Sequence, residues 1–104
     1  MTAKEAFEAA ARILPQARGW ARRTSIDLDE EICQNVAACL LDLQKDGITR
    51  LDVGDPLIQQ AAKLYLHANF GSNPDAERWE RAYGSLKDSL SLSGDYNGGV
   101  QIDT

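Results

Sequence analysis

The chain has little of the chemistry on which most enzymes depend. Its 104 residues include one histidine, His67, and two cysteines. His67 lies on the most apolar predicted helix, and a lone histidine in that setting is more often structural than catalytic. Nothing in the sequence supplies the orienting third group or the oxyanion loop that a Cys–His pair needs. We therefore predict no active site, no cofactor and no metal site, and expect a protein that is not an enzyme.

The two cysteines are placed too far apart to form a disulfide bond. Cys33 and Cys39 fall on one predicted helix, where their spacing separates them by about 9 Å along the axis. The Cα atoms of a disulfide lie within about 7 Å of each other. The spacing also differs from that of the usual zinc motifs. We interpret both as small buried side chains, in agreement with synthesis in the cytoplasm.

Long hydrophobic runs are missing as well. No eighteen consecutive residues are apolar, so we predict no membrane span. Near the N-terminus Glu5, Glu8 and Arg12 interrupt the apolar residues, which is unlike a signal peptide. The expected location of the newly made protein is therefore the cytoplasm.

Basic residues are fewer than acidic ones, and the net charge of −5 argues against a dedicated DNA-binding protein. One basic cluster stands out around Trp20, formed by Arg12, Arg18, Arg22 and Arg23. The favoured interpretation is a solvated loop with salt bridges. The alternatives are a phosphate-binding patch or a seam at which Arg22 and Arg23 meet an acidic neighbouring subunit.

What the sequence does contain is a series of helix signals, which predict an all-α fold. We expect one domain, a small irregular bundle of four helices, over residues 1–93, and a flexible C-terminal tail over residues 94–104. The segment around Trp20 is either a short fifth helix or an ordered loop.

The first half of the chain carries two helices. Thr2 and Glu5 fit a capping box for the first, which Pro15 ends or kinks. Asp27 or Asp29 then caps a longer helix that runs to about Lys45. Its predicted buried stripe is Ile32, Val36, Leu40 and Leu43. Gly47 fits the left-handed position after this helix, and Ile48 is expected to fold back onto Leu43.

The second half carries two more helices. Asp55 caps one that begins at Pro56 and stops before Gly71. Asn73 and Pro74 are predicted to start the last, which continues to about Ser91. It has one apolar stripe, formed by Ala76, Trp79, Tyr83, Leu86 and Leu90.

The final residues have no helical pattern. Gly94, Gly98 and Gly99 cannot continue a helix. A free tail is one interpretation. The other is an extended strand on a partner's surface, for which Tyr96, Val100 and Ile102 supply the side chains. Fully extended, the residues from Gly94 onward reach about 35 Å.

Two quoted stretches carry a resemblance to a known family. They are DPLIQQAAKLYLHANFG (55–71) and NPDAERWERAYGSLKDSLSLSGDYNGG (73–99). This half of the chain resembles the small head–tail connector (head-completion adaptor) proteins of tailed bacteriophages and prophages, which share the patterns DPLI..A...Y..A.FG and.PDAER....Y..LK..L.LS.DY.

The resemblance implies a non-enzymatic virion structural protein. Its copies would form a ring, expected to be a dodecamer, beneath the portal protein, and would join capsid to tail at the virion neck. A tail-completion or stopper protein would be a further partner, and DNA would pass through the lumen without specific binding. In the family the C-terminal arm embraces the portal ring.

The residues predicted to bind the portal or a neighbouring subunit follow from these arguments. They are Arg22, Arg23, Arg78, Arg81, Tyr96, Val100 and Ile102. A closed ring needs two complementary faces, for which the arginine-rich segment 12–23 and the acidic segments 27–31 and 42–46 are candidates. The alternative function is a small cytosolic helical adaptor or regulatory protein that binds a partner peptide or helix.

Overall fold

Five α-helices make up the regular structure of the residues that the computed structural model describes, which are 1–21, 28–71 and 74–98. The all-α prediction is confirmed. In chain order they are α1 (Ala3–Arg12), α2 (Leu14–Trp20), α3 (Asp29–Lys45), α4 (Pro56–Asn69) and α5 (Ala76–Ser91). Within these described ranges, no helix has the length and apolar character needed to cross a membrane.

The α1 and α2 helices form one arm that lies along α3. The predicted capping box is present, because Thr2 Oγ1 accepts the Glu5 N–H at 3.1 Å and Glu5 Oε1 accepts the Thr2 N–H at 2.9 Å. Pro15 starts a helix as well as ending one: it lies in the first turn of α2, where its missing N–H leaves no bond unmade. The segment around Trp20, for which the sequence allowed a short fifth helix or a loop, is therefore helical and forms α2.

The α3 helix is the centre of the bundle and packs against α1, α2 and α4. Its predicted stripe is confirmed, since Ile32, Val36, Leu40 and Leu43 are all buried. The predicted cap is wrong for Asp29, which lies inside the helix and binds Arg18 through its carboxylate. Asp27 lies outside the described residues.

The end of α3 has the geometry that the sequence predicts. Gly47 adopts a φ of 89°, and the Ile48 N–H donates to the Leu43 carbonyl at 3.1 Å. The Gly47 N–H donates to the Gln44 carbonyl at 3.0 Å. These two bonds satisfy carbonyls that the helix leaves without a partner. The buried side chain of Ile48 anchors the loop that leads to α4.

The α4 helix begins as predicted. The Asp55 carboxylate accepts the Leu57 N–H at 2.8 Å and the Ile58 N–H at 3.4 Å, and Pro56 is the first helical residue. After the helix ends, Gly71 adopts a φ of 73°. The apolar residues that α4 buries are Ile58, Ala61, Ala62, Leu64 and Leu66.

The α5 helix packs along α4 and begins later than predicted. Its N-cap is Asp75, so Pro74 precedes the helix, and Asn73 lies outside the described residues. The predicted stripe holds, with Tyr83 and Leu90 buried. The other three stripe residues, Ala76, Trp79 and Leu86, are half-buried.

Residues 94–98, which we name the C-terminal turn, fold back on the domain. The predicted tail began at Gly94, whereas hydrogen bonds hold this turn against the loop before α4. The physical reason is that a polar turn can satisfy the backbone of a neighbouring loop without being helical. The remaining predicted tail, residues 99–104, lies outside the described residues.

Candidate functional site

The C-terminal turn is joined to the loop between α3 and α4 through its backbone. The Tyr96 carbonyl accepts the Thr49 N–H at 2.8 Å and the Arg50 N–H at 3.1 Å. Both donors lie directly after the buried Ile48, so the turn docks on a loop that is itself anchored in the core. Residues far apart in the sequence thereby form one surface at this end of the bundle.

The side chain of Tyr96 reaches the start of α4. Its hydroxyl donates to Asp55 and lies 3.0 Å from each carboxylate oxygen. Asp55 therefore accepts bonds from the first turn of α4 and from the C-terminal turn at once. The Arg50 side chain completes the group, with its guanidinium carbon 5.6 Å from the centre of the Tyr96 ring and its Nε 3.7 Å from Asp55 Oδ2.

These contacts change the pKa values of both groups in the pair. Burial acts to raise the pKa of Asp55, but the hydrogen bonds from Leu57, Tyr96 and Ile58 outweigh it and hold the value below the usual range. Loss of water contact, followed by the hydrogen bond to Asp55, raises the pKa of Tyr96. At neutral pH the pair is thus a neutral hydroxyl that donates to a carboxylate, which is a charge-assisted hydrogen bond.

Asn97 and Gly98 complete the turn. The Asn97 side chain is 5% exposed, and its Nδ2 donates to the Ser91 carbonyl, at the last residue of α5, at 3.0 Å. Gly98 has a φ of 78°, and a Cβ there would lie 3.1 Å from Thr49 Oγ1. Backbone conformation and space therefore both favour glycine at this position.

The predicted partner-binding residues are only partly brought together. Tyr96 binds within its own domain, which differs from the expectation of a segment that reaches another subunit. Arg78 and Arg81 are exposed on the first half of α5. Ser91 lies ten positions after Arg81 on the helix, which is about 15 Å along its axis, so the arginines lie well away from the C-terminal turn. The other four predicted residues, Arg22, Arg23, Val100 and Ile102, lie outside the described residues.

Arg78 takes part in a stack that joins α4 to α5. Its guanidinium carbon lies 5.3 Å from the centre of the Trp79 ring. The Trp79 ring in turn lies 4.8 Å from the His67 ring, with an angle of 31° between their planes. His67 therefore contributes to helix packing at the end of α4.

A second polar group, absent from the sequence predictions, links α3 to α5. We name it the polar bridge, and it consists of Cys39, Asp42, Asp46, Tyr83 and Lys87. The Tyr83 hydroxyl donates to Asp42 Oδ2 at 2.6 Å. Lys87 Nζ lies 3.1 Å from the same oxygen and 3.3 Å from Asp46 Oδ2. The Cys39 thiol donates to the Tyr83 oxygen at 3.8 Å.

The charges in the polar bridge favour a structural role. Burial raises the pKa of Cys39 to about 12, so this group is a thiol and a poor nucleophile at neutral pH. Burial also raises the pKa of Tyr83. It acts to raise that of Asp42, but the bonds from Tyr83 and Lys87 outweigh it and leave the value lowered. The bridge is therefore a carboxylate held by a hydroxyl and an ammonium group.

Several charges expected to face other subunits are paired inside the chain. Arg18 Nε donates to Asp29 Oδ1 at 2.8 Å, and a second guanidinium nitrogen binds the other carboxylate oxygen. Asp42 and Asp46 both pair with Lys87. These charged side chains therefore stabilise contacts within one subunit, whereas the sequence assigned their segments to contacts between subunits.

In residues 1–21, 28–71 and 74–98, no group of three or more His, Cys, Asp or Glu side chains is arranged to hold a metal ion.

Comparisons with known proteins give no independent assignment. No family model matches the chain, and no curated protein or solved structure matches it either.

Proposed function

We propose that this protein is a head–tail connector of a tailed bacteriophage or prophage. In this role it is a non-enzymatic structural protein whose copies form a ring beneath the portal and join the capsid to the tail at the virion neck. The proposal rests first on the resemblance of residues 55–71 and 73–99 to that family. Before assembly, the subunits would be in the host cytoplasm.

One structural observation supports the proposal beyond the sequence patterns. Asp55 opens the first of the two stretches and Tyr96 lies near the end of the second, and their side chains are hydrogen-bonded. The half of the chain that resembles the connectors therefore forms a closed unit of α4, α5 and the C-terminal turn. A closed unit of this kind provides a fixed starting point, at Gly98, for a C-terminal arm that binds the portal.

The outer face of α5 supplies a second candidate contact. Glu77, Arg78, Glu80 and Arg81 are exposed there. Charges of both signs on one face suit the polar rim of a contact between neighbouring subunits, where they affect the rate of association more than its strength. A ring requires such a face to meet a different, complementary face of the next copy.

The overall charge agrees with passage of DNA. At −5, the subunit offers no excess of positive charge to retain phosphates. We propose that DNA passes through the lumen of the ring without specific binding.

Electron microscopy of the protein mixed with the portal protein of the same genome tests the proposal. We expect a ring of added density beneath the portal with the full-length chain, and much less with a chain that ends at Gly98. Truncation at this point keeps the C-terminal turn, so a loss of density reports the removed residues and not damage to the domain. Absence of binding by the full-length chain would favour the adaptor alternative.

Matched substitutions in the same experiment test the α5 face. Arg81→Glu reverses an exposed charge on α5, and Lys63→Glu reverses an exposed charge on α4. We expect the first to weaken ring formation at low salt and the second to leave it unchanged. Equal effects from the two would remove α5 from the proposed subunit contact.

A further inference from the structure

We propose that the C-terminal turn is a clasp that holds Gly98 in one position and orientation on the domain, and that capture of the portal depends on the clasp being closed. The identity of the partner rests on the proposed function. The clasp itself rests on the contacts of the described residues alone.

The clasp joins three separate elements. The Tyr96 carbonyl receives two N–H groups from the loop after α3, and the Tyr96 hydroxyl binds the carboxylate that caps α4. The Asn97 side chain binds the carbonyl of Ser91 at the end of α5. Backbone and side-chain bonds to three elements hold a short turn in one orientation, whereas a single bond would leave it free to rotate.

The exposure of its members distinguishes the clasp from the core. Among the side chains that form the clasp or contact it, Asn97 and Asp55 are buried, but Tyr96 is only half-buried and Arg50 is exposed. Bonds near solvent open more readily than bonds in a core, because water can replace the lost partners. The clasp is thus able to open while the five helices remain folded.

A closed clasp lowers the cost of binding. A disordered segment loses conformational freedom when it binds a partner, and each residue ordered beforehand reduces that loss. The five residues of the C-terminal turn are already ordered in the free domain. Opening the clasp would release these five residues from that order and would weaken capture without removing any contact with the partner.

Two glycines of the turn provide a matched pair of variants. Gly98→Ala places a Cβ at a φ of 78° and 3.1 Å from Thr49 Oγ1, so it opposes the closed clasp. Gly94→Ala adds the same methyl group where no atom lies within 4 Å and where φ is not positive. Both variants add one methyl group to the turn, so a difference between them reports the backbone conformation and the space at Gly98.

Amide hydrogen exchange measures the clasp in the full-length protein without any partner. The Thr49 and Arg50 amides donate to Tyr96, and we expect Gly98→Ala to accelerate their exchange about tenfold, because an alanine in the left-handed region is strained. The neighbouring Ile48 amide bonds to Leu43 and serves as the internal reference. Unchanged exchange at Thr49 and Arg50 in Gly98→Ala would overturn the clasp. A parallel rise at Ile48 would also overturn it, since the turn would then not open separately from the domain.

Portal capture by the same variants separates the clasp from the function. The proposal predicts weaker capture by Gly98→Ala, in proportion to its faster exchange, and unchanged capture by Gly94→Ala. If Gly98→Ala opens the clasp but captures normally, while the chain ending at Gly98 does not capture, the positioning role fails and the connector proposal stands. If truncation leaves capture intact, the role of the C-terminal arm fails, and the positioning role fails with it.

Discussion

The polar bridge and the clasp each combine a tyrosine hydroxyl, an aspartate and a cation, but in different surroundings. In each, a tyrosine hydroxyl donates to an aspartate, and a cation lies near both side chains. In the bridge these groups are Tyr83, Asp42 and Lys87. Tyr96, Asp55 and Arg50 are the equivalent groups of the clasp. The side chain of Lys87 is 21% exposed and that of Arg50 is 56% exposed. The two aspartates differ in the opposite sense, with Asp42 33% exposed and Asp55 8% exposed. The tyrosine and the cation are therefore deeper in the bridge, which holds helices together, and nearer solvent in the clasp, which holds a segment that is able to open.

The cation is also bound differently in the two groups. Lys87 contacts two carboxylates at 3.1 and 3.3 Å, whereas Arg50 lies 3.7 Å from one. In addition, Tyr83 packs edge-on against Tyr65, with ring centres 5.2 Å apart. Exposed ion pairs contribute little to stability, while a partly buried group that loses its partner is costly. We therefore expect loss of the bridge to affect global unfolding and loss of the clasp to affect only local opening.

The largest effect is expected from Asp42→Ala. This change leaves the Tyr83 hydroxyl without its acceptor and removes one of the two carboxylates that bind Lys87. Chemical denaturation should show a loss of about 2 kcal/mol in the free energy of unfolding. Asp88→Ala, at an exposed position on α5, is the matched control and should change it by less than about 0.5 kcal/mol. Equal losses in the two variants would contradict a structural role for the bridge.

The two tyrosines give the sharpest comparison, because the same atom is removed from each. Tyr83→Phe should lower the free energy of unfolding by about 1–2 kcal/mol, since a partly buried hydrogen bond to a carboxylate is lost. Tyr96→Phe should leave the denaturation midpoint unchanged and accelerate exchange of the Thr49 and Arg50 amides. A shift of the midpoint by Tyr96→Phe as large as that by Tyr83→Phe would show that the clasp belongs to the cooperative core.

The smallest effect concerns acid. The pKa values of Asp42 and Asp55 are both lowered on folding, so the unfolded chain takes up protons first as the pH falls. The stability that these carboxylates contribute is complete above their unfolded pKa of about 4 and is lost as the pH falls through their folded values. The free energy of unfolding, measured from about pH 6 to pH 2, should fall with pH, and it should fall less steeply in Asp42→Asn than in the unchanged protein. An identical slope in that variant would show that Asp42 does not contribute.

Local features of the fold are predictable from the sequence, and long-range polar contacts are not. The cap at Asp55 and the turn at Gly47 depend on residues within one helical turn of each other, so their signals are contiguous. The predicted cap at Asp29 is wrong, because an acidic residue near the start of a helix has the same local pattern whether it caps the helix or binds a distant arginine. In the structure Asp29 binds Arg18.

Neither tyrosine–aspartate pair has a signal of this kind. Asp42 and Tyr83 are separated by 41 residues, as are Asp55 and Tyr96. One clue to the bridge is in the sequence: Asp42 and Asp46, the residue that caps the end of α3, lie four residues apart, as do Tyr83 and Lys87 on α5. Pairs spaced four residues apart share a helix face, but the packing that brings two such faces together depends on the whole fold.

The deep burial of Cys39 has a practical consequence for anyone who follows the assembly of this protein. Both cysteines are free thiols shielded by the folded bundle, with Cys39 fully enclosed. A thiol-reactive dye should therefore modify them only in molecules that have unfolded. A cysteine introduced on the outer face of α5 would be labelled alone in the native protein, giving a single fluorescent reporter of the approach of one subunit to the next.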